Sequence, residues 1–244
     1  MPSLVVDAHA HRLHAGRDHR LGRVAREYKF DGAAAAEAGH GRRLADTLGE
    51  YCRITDAATL EKEIMRFEEE VIEGGPIGLP GAVELLNQIS AGASDATPGW
   101  TIVTSATSVY TPKALARCNI PLPRAGYITS NDVSKGKPHP DPYLAGAQRV
   151  RADPAKCAFL SLLESISSQR AAIAGGVVVE DAPSGLYAGH AAGAKVIAVC
   201  TSHSRDAIVA SGANPDYIVK DLTRVKARWE DGKVVLDIDD SLWW

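Results

Sequence analysis

The chain has 244 residues, of which 45% are hydrophobic and 23% are charged, and its formal net charge is −3. These values are typical of a globular protein with a buried core, and they give no basic field that would imply a nucleic-acid partner. The four cysteines are widely spread without a Cys-x-x-Cys pair, so neither a disulfide framework nor a zinc ribbon is indicated. No apolar run reaches about 18 residues, so we expect no membrane partner. The expectation is a cytoplasmic monomer or weak dimer with reduced thiols.

The first part of the chain predicts one strand followed by helices. Residues 3–7 form a short apolar run that ends in a carboxylate, which is typical of a buried strand. Residues 33–50 and 57–73 have the spacing of helices, and Asp56 is the predicted N-cap of the second one. The Gly-Gly-Pro sequence at 74–76 ends this helical part.

After this break, short apolar strands alternate with helices. The predicted helices are 81–91, 110–118, 140–150, 184–193 and 204–211, and the predicted strands are 100–104, 127–129, 177–181, 195–200 and 216–219. This alternation is typical of an α/β fold with a parallel sheet that is covered by helices on both faces.

Polar side chains that suit phosphoryl transfer follow several of the predicted strands. In a parallel sheet, the chemistry lies at the carboxyl ends of the strands. That rule selects Asp7, the Thr104-Ser105 pair and the Glu180-Asp181 pair, and Lys137 follows in a Gly-Lys-Pro segment. Phosphoryl transfer requires in-line positioning and neutralisation of the phosphoryl oxygens. Carboxylates with free oxygens are ligands that Mg²⁺ prefers.

These motifs, in this order and spacing, resemble those of the haloacid dehalogenase-like (HAD) hydrolase superfamily. The likeness is greatest to the fungal glycerol-phosphate and 2-deoxyglucose-6-phosphate phosphatases. The segments that carry it are 79–83, 100–107, 131–144, 179–185, 191–196 and 201–203. The resemblance implies a Rossmann-like parallel-sheet core, formed by residues 1–13 and 79–244, with a helical cap inserted at 14–78.

The resemblance also implies roles for the core residues. Thr104 is expected to hydrogen-bond a phosphoryl oxygen, and the backbone N–H of Ser105 assists it. Lys137 is expected to neutralise the phosphate and the nucleophile. Asp7 is expected to attack phosphorus and form an aspartyl-phosphate. Asp7 is also expected to bind Mg²⁺, together with the Glu180-Asp181 pair.

The cap contributes a predicted substrate-binding segment. His40-Gly41-Arg42-Arg43 resembles the family's His-Gly-x-Arg sequence, so His40 and Arg43 are expected to contact a small phosphorylated metabolite. The resemblance therefore implies a Mg²⁺-dependent phosphatase that acts on small phosphorylated sugars or polyols.

Two segments depart from the family pattern. The family has Asp-x-Asp-Gly-Thr where this chain has Asp-Ala-His-Ala-His at 7–11, so His9 replaces the general acid. A histidine can act as an acid, but we expect turnover to be impaired. Residues 158–176 are about 19 extra residues, which we expect to form an excursion from the core.

Two alternatives stay open. The first is a catalytically inactive HAD-fold protein that acts in binding or regulation. The second rests on the Asp-x-His-x-His sequence at 7–11, because two histidines at one strand end can bind Zn²⁺, as in amidohydrolase-type barrels. Such a barrel needs further metal ligands on later strands, which here carry phosphatase-like motifs instead.

Overall fold

The computed structural model describes residues 3–6, 24–152, 158–159, 170–174 and 176–239. Within them the strands are β1 (Ser3–Val6), β2 (Trp100–Val103), β3 (Tyr127–Ile128), β4 (Ala158–Phe159), β5 (Arg170–Ala174), β6 (Gly176–Glu180), β7 (Lys195–Val199), β8 (Tyr217–Val219), β9 (Val225–Glu230) and β10 (Lys233–Asp239). The α-helices, after a helical turn at 24–28, are α1 (Gly32–Ala38), α2 (Leu44–Cys52), α3 (Ala57–Glu73), α4 (Ala82–Ala91), α5 (Tyr110–Arg117), α6 (Asp141–Arg149), α7 (Pro183–Ala191) and α8 (Arg205–Ala210). None of the described helices is long and apolar enough to span a bilayer.

Six strands form the parallel sheet that the sequence predicts, in the order β3-β2-β1-β6-β7-β8. Every neighbouring pair in this sheet is parallel. Alternate residues of β6 belong to different hydrophobic clusters, with Val177 and Val179 in one and Val178 in the other. Both faces of the sheet are therefore buried, which confirms the α/β fold with helices on both sides.

A second sheet, which the sequence analysis missed, is antiparallel with the order β4-β5-β10-β9. Strands β9 and β10 form a hairpin, and the Trp229 indole N–H donates to the main-chain oxygen of Ile89 in α4 at 2.9 Å. Leu236 and Ile238 join the hydrophobic cluster beneath the parallel sheet. Strands β4 and β5 of segment 158–176 belong to this sheet, and β5 pairs with β10, so the expectation of a simple excursion from the core is wrong for these strands.

The predicted helix 33–50 is two helices, α1 and α2. The chain turns between them at Gly41, whose φ is +76°, a conformation that glycine adopts easily. Helix α3 begins where predicted, because the Asp56 carboxylate accepts a hydrogen bond from the Thr59 N–H at 2.8 Å. Helices α2 and α3 share a hydrophobic cluster that includes Leu48.

The helical part also packs against the core. Val71 of α3 lies in one cluster with Tyr110 and Ala114 of α5, next to β2. Leu79 already belongs to the main core cluster. The predicted cap boundary at residues 13 and 14 lies outside the described residues.

Candidate active site

The predicted core residues that the structure describes come together at the carboxyl ends of β2 and β6. The Lys137 ammonium lies 2.5 Å from Glu180 Oε1 and 3.5 Å from the main-chain oxygen of Val103, the last residue of β2. Thr104 follows directly, and its hydroxyl accepts a hydrogen bond from the Ala106 N–H at 3.1 Å. The threonine is thus held at the carboxyl end of β2, close to Lys137.

Glu180 is the internal counter-ion of Lys137. Both side chains have no solvent exposure. Glu180 Oε1 also accepts from the Tyr143 hydroxyl at 2.7 Å, and Oε2 accepts from the N–H groups of Asp181 and Ala182 at 2.9 and 3.0 Å. A buried carboxylate needs such partners, because an unpaired buried charge is costly. The role of Glu180 as a metal ligand remains a prediction, and its carboxylate already accepts these four hydrogen bonds.

Asp181 is completely buried, and within the part of the chain that the structure describes one of its oxygens lacks a hydrogen-bond partner. Its Oδ2 accepts from the hydroxyls of Thr201 and Ser202 at 2.9 and 2.7 Å. Among the described residues its Oδ1 has no hydrogen-bond partner, and it lies 3.7 Å from His40 Nε2. An anionic oxygen in this state is costly, and a hard cation such as Mg²⁺ would satisfy it. The donor set at Asp181 therefore fits a magnesium ion.

The sequence predicts no role for Thr201 and Ser202 beyond their part in the family resemblance. They follow β7, so the same carboxyl-end rule that selected Asp181 would have found them.

His40 and Gly41 lie over this strand end. The His40 ring stacks on His203 with ring centroids 4.9 Å apart, and His203 Nδ1 lies 3.0 Å from the main-chain oxygen of Asp181. Because a carbonyl oxygen only accepts, Nδ1 carries the hydrogen. The Ser184 hydroxyl donates to the His40 carbonyl at 2.9 Å. The predicted substrate-binding His40 is thus brought to the site.

Gly41 is required for this close approach. The Ser105 hydroxyl donates to the Gly41 carbonyl at 2.7 Å. A Cβ on Gly41 would lie 2.4 Å from Ser184 Oγ and 2.7 Å from the Ala182 Cβ. The segment between α1 and α2 is therefore in contact with the loops that carry Ser105 and Asp181.

Arg43, the second predicted cap residue, binds the loop that carries Lys137. Its guanidinium makes a bidentate ion pair with Asp46 at 2.8 and 3.0 Å, and Nη1 donates to the main-chain oxygen of Ser134 at 3.0 Å. A Cβ on Gly136 would lie 2.7 Å from Arg43 Cγ, so glycine allows this contact. A substrate role for Arg43 stays a prediction.

The chain is similar to known proteins in sequence and in fold, although no family model matches it. Glycerol-1-phosphate phosphohydrolase 2 of Saccharomyces cerevisiae is 32% identical over 220 residues, which cover 88% of this chain and 80% of that protein. The chain belongs to the haloacid dehalogenase-like hydrolases. Hexitol phosphatase A of Escherichia coli is 34% identical over 165 residues, covering 66% of this chain and 64% of that protein.

Solved structures of HAD hydrolases share the fold. A hydrolase from Pseudomonas syringae superposes with a TM-score of 0.71 at 19% identity, covering 91% of this chain and 95% of that one. A HAD hydrolase of family IA, variant 3, from Entamoeba histolytica gives a TM-score of 0.67 at 13% identity, covering 91% and 94%. These likenesses support the Rossmann-like core predicted from the motifs.

The first HAD motif lies outside the described residues, and with it Asp7 and His9. Strand β1 before it is described between β2 and β6, with Val6 in register with Ile102 and Val179. The first motif thus follows the central strand of the site. Within the described residues, no group of three or more histidine, cysteine or acidic side chains forms a metal cluster.

Proposed function

We propose that the chain is a Mg²⁺-dependent phosphatase of small phosphorylated sugars or polyols. Its relatives are named as phosphatases of glycerol 1-phosphate, hexitols and 2-deoxyglucose 6-phosphate, and with them the chain is a phosphoric monoester hydrolase. The observation that carries the finer proposal is a buried Asp181 oxygen that no described residue hydrogen-bonds, beside the buried Lys137–Glu180 pair.

Each of the site residues suits a different part of phosphoryl transfer. Asp181, with Asp7 as its predicted partner, would hold Mg²⁺, which supplies charge neutralisation at the phosphoryl oxygens. Lys137 places a positive charge at the same strand ends, and Thr104 offers a hydroxyl to a phosphoryl oxygen. Both act by electrostatic stabilisation of the transferring group.

The proposed reaction has two steps. A carboxylate oxygen of Asp7 attacks phosphorus, the ester P–O bond breaks, and the departing alcohol oxygen takes a proton from His9. Water then gives a proton to His9 and attacks the phosphorus of the aspartyl-phosphate. The P–O bond to Asp7 breaks, which releases inorganic phosphate and regenerates the Asp7 carboxylate and the protonated His9. The family uses an aspartate where His9 stands, so we propose that turnover is slow on substrates that need protonation of the leaving group. A positioned acid contributes about 10²–10⁴-fold.

The test is a phosphatase assay on the purified chain with glycerol phosphate, hexitol phosphates and an aryl phosphate, with Mg²⁺ and with a chelator. We expect Mg²⁺-dependent release of phosphate that Asp181→Asn abolishes. Asp95→Asn is the matched control, because the Asp95 side chain is 96% exposed.

The second candidate is a catalytically inactive HAD-fold protein that binds a phosphorylated metabolite. The replacement of the general acid by His9 favours it. Tight binding of phosphate without hydrolysis of any ester would support it over the phosphatase. Tightly held zinc in the purified chain would contradict the proposed Mg²⁺ site.

A further inference from the structure

Tyr143 touches both members of the buried ion pair. It belongs to the first turn of α6 and is 1% exposed. Its hydroxyl donates to Glu180 Oε1 at 2.7 Å, and this oxygen also contacts the Lys137 ammonium at 2.5 Å. The centre of its ring lies 5.0 Å from Lys137 Nζ. One side chain thus contacts the carboxylate through its hydroxyl and the ammonium through its ring.

We propose that Tyr143 is a positioning residue, which holds the Glu180 carboxylate and the Lys137 ammonium in the arrangement that receives a phosphoryl group. This inference rests on the proposed function, since it assigns Tyr143 a part in binding the phosphoryl group. Tyr143 acts through its neighbours and is not proposed to contact the substrate.

The lysine needs such a holder because its side chain is flexible. A lysine ammonium sits on a four-carbon stem and donates in three directions, so its position depends on its partners. Here Lys137 has Glu180 at 2.5 Å and the Val103 carbonyl at 3.5 Å. The ring of Tyr143 adds a cation–π contact at a buried position. These contacts leave the ammonium at the strand ends where Thr104 lies.

The carboxylate needs a second donor on Oε1. Its Oε2 is fixed by the backbone N–H groups of Asp181 and Ala182, whereas Oε1 contacts the ammonium at the end of the long Lys137 side chain. The Tyr143 hydroxyl is a donor on a rigid ring at the start of a helix, so it fixes Oε1 independently of the lysine. A hydrogen bond to an ionised group is about twice as strong as one between neutral groups.

Helix α6 places this ring close to the lysine in the chain. Tyr143 lies six residues after Lys137, and Pro142 lies in the first turn of the helix. Proline restricts its own φ to the helical value, so the start of α6 is pre-organised. The loop with Lys137 and the ring that holds it therefore form one short, rigid unit.

The first experiment measures binding of inorganic phosphate, in the presence of Mg²⁺, by isothermal titration calorimetry. Tyr143→Phe removes the hydroxyl and keeps the ring. We expect its dissociation constant for phosphate to rise about tenfold, a change of ~1.4 kcal/mol. The matched control is Tyr187→Phe, which removes an exposed tyrosine hydroxyl that donates to the main-chain oxygen of Ser211 at 2.7 Å. We expect the affinity of this control for phosphate to stay within about twofold of that of the unmodified chain.

The second experiment needs no ligand and follows acetylation of Lys137 by acetic anhydride, with peptide mass spectrometry. We expect faster modification of Lys137 in Tyr143→Phe, with Lys195 as the internal standard. A role in stability alone would raise the ratio of Lys137 to Lys195 labelling only by the factor that the measured loss of unfolding free energy predicts, because a side chain without solvent exposure reacts only when the structure opens.

The inference is overturned if both phosphate affinity and the Lys137 labelling ratio in Tyr143→Phe equal those of the unmodified chain. A chain that binds phosphate in a Tyr143-dependent way but hydrolyses no ester overturns the proposed function and supports the inference. If the unmodified chain binds no phosphate, the labelling ratio alone decides.

Discussion

Removing one member of the Lys137–Glu180 pair should destabilise the fold far more than removing both. Their charged atoms lie 2.5 Å apart and neither side chain is exposed. Lys137→Met leaves the Glu180 carboxylate in the core with the Tyr143 hydroxyl and two backbone N–H groups, but without the lysine as its counter-ion. Breaking a buried pair in this way costs about 3–5 kcal/mol. Glu180→Gln should cost a similar amount, because it leaves a buried ammonium without its carboxylate.

The double variant should be more stable than the sum of the single losses predicts. With methionine and glutamine in place, no charge of the pair stays buried, and the glutamine can still accept from the backbone N–H groups. We expect its total loss of unfolding free energy to be smaller than the loss in Lys137→Met alone.

The assay is urea unfolding, followed by the fluorescence of the tryptophans, of which Trp100 is 1% exposed in the core. Domains of this kind have an unfolding free energy of ~5–15 kcal/mol, so a loss of this size can be measured. The variants can be compared only if their unfolding free energies decrease with urea concentration at the same slope. Additive losses in the double variant, or a loss below about 1 kcal/mol in Lys137→Met, would refute the reasoning.

Three further predictions concern the packing at Gly185, the first motif and the buried thiols. Gly185→Ala places a Cβ 1.8 Å from Glu180 Oε1, so the unfolding free energy of this variant should fall by about 1–3 kcal/mol. The control is Gly49→Ala, which should not destabilise the chain because nothing lies within 4 Å of the added Cβ. Equal urea midpoints for the two variants would contradict this prediction. The family motif is restored by the changes His9→Asp, Ala10→Gly and His11→Thr. We expect this variant to gain more rate on alkyl than on aryl phosphates in parallel assays, because aryl leaving groups need little protonation, and fast alkyl-phosphate turnover by the unmodified chain would argue against it. Burial raises the pKa of three thiols to about 11: those of Cys52, Cys118 and Cys200. As pH rises, these thiols lose their protons first in the unfolded chain, near pH ~9. Below that pH the thiols should not affect the unfolding free energy, and between pH ~9 and 11 the unfolding free energy should fall. A urea midpoint that stays constant up to pH 11 would contradict this prediction.

The parallel sheet and the core of its site could be predicted from sequence because their signals are local. A strand such as β6 is an uninterrupted apolar run, which is what burial on both faces of a parallel sheet requires. The residues after each strand then meet at one edge, since all the strands point the same way. That rule predicts that Thr104 and Asp181 lie at the same edge of the sheet.

The second sheet depended on tertiary pairing. The alternating burial of β9 is a weak signal for a strand. The position of the β9–β10 hairpin is fixed by the contact of Trp229 with α4 and by the pairing of β10 with β5. The strands β5 and β10 are far apart in the chain. No local pattern specifies which distant strand completes a sheet, because register and partner follow from packing.

The partners of the site residues were also decided by tertiary structure. The sequence predicts that Lys137 and Glu180 serve one site, but it does not indicate that they form a buried pair with Tyr143, since tyrosine at that position equally suits an ordinary helix core. In the same way, Arg43 has a charge suited to a substrate, and only the fold shows that it pairs with Asp46 and binds the Ser134 carbonyl. Composition and periodicity determine which face a residue occupies, whereas its hydrogen-bond partners depend on how separate elements pack in three dimensions.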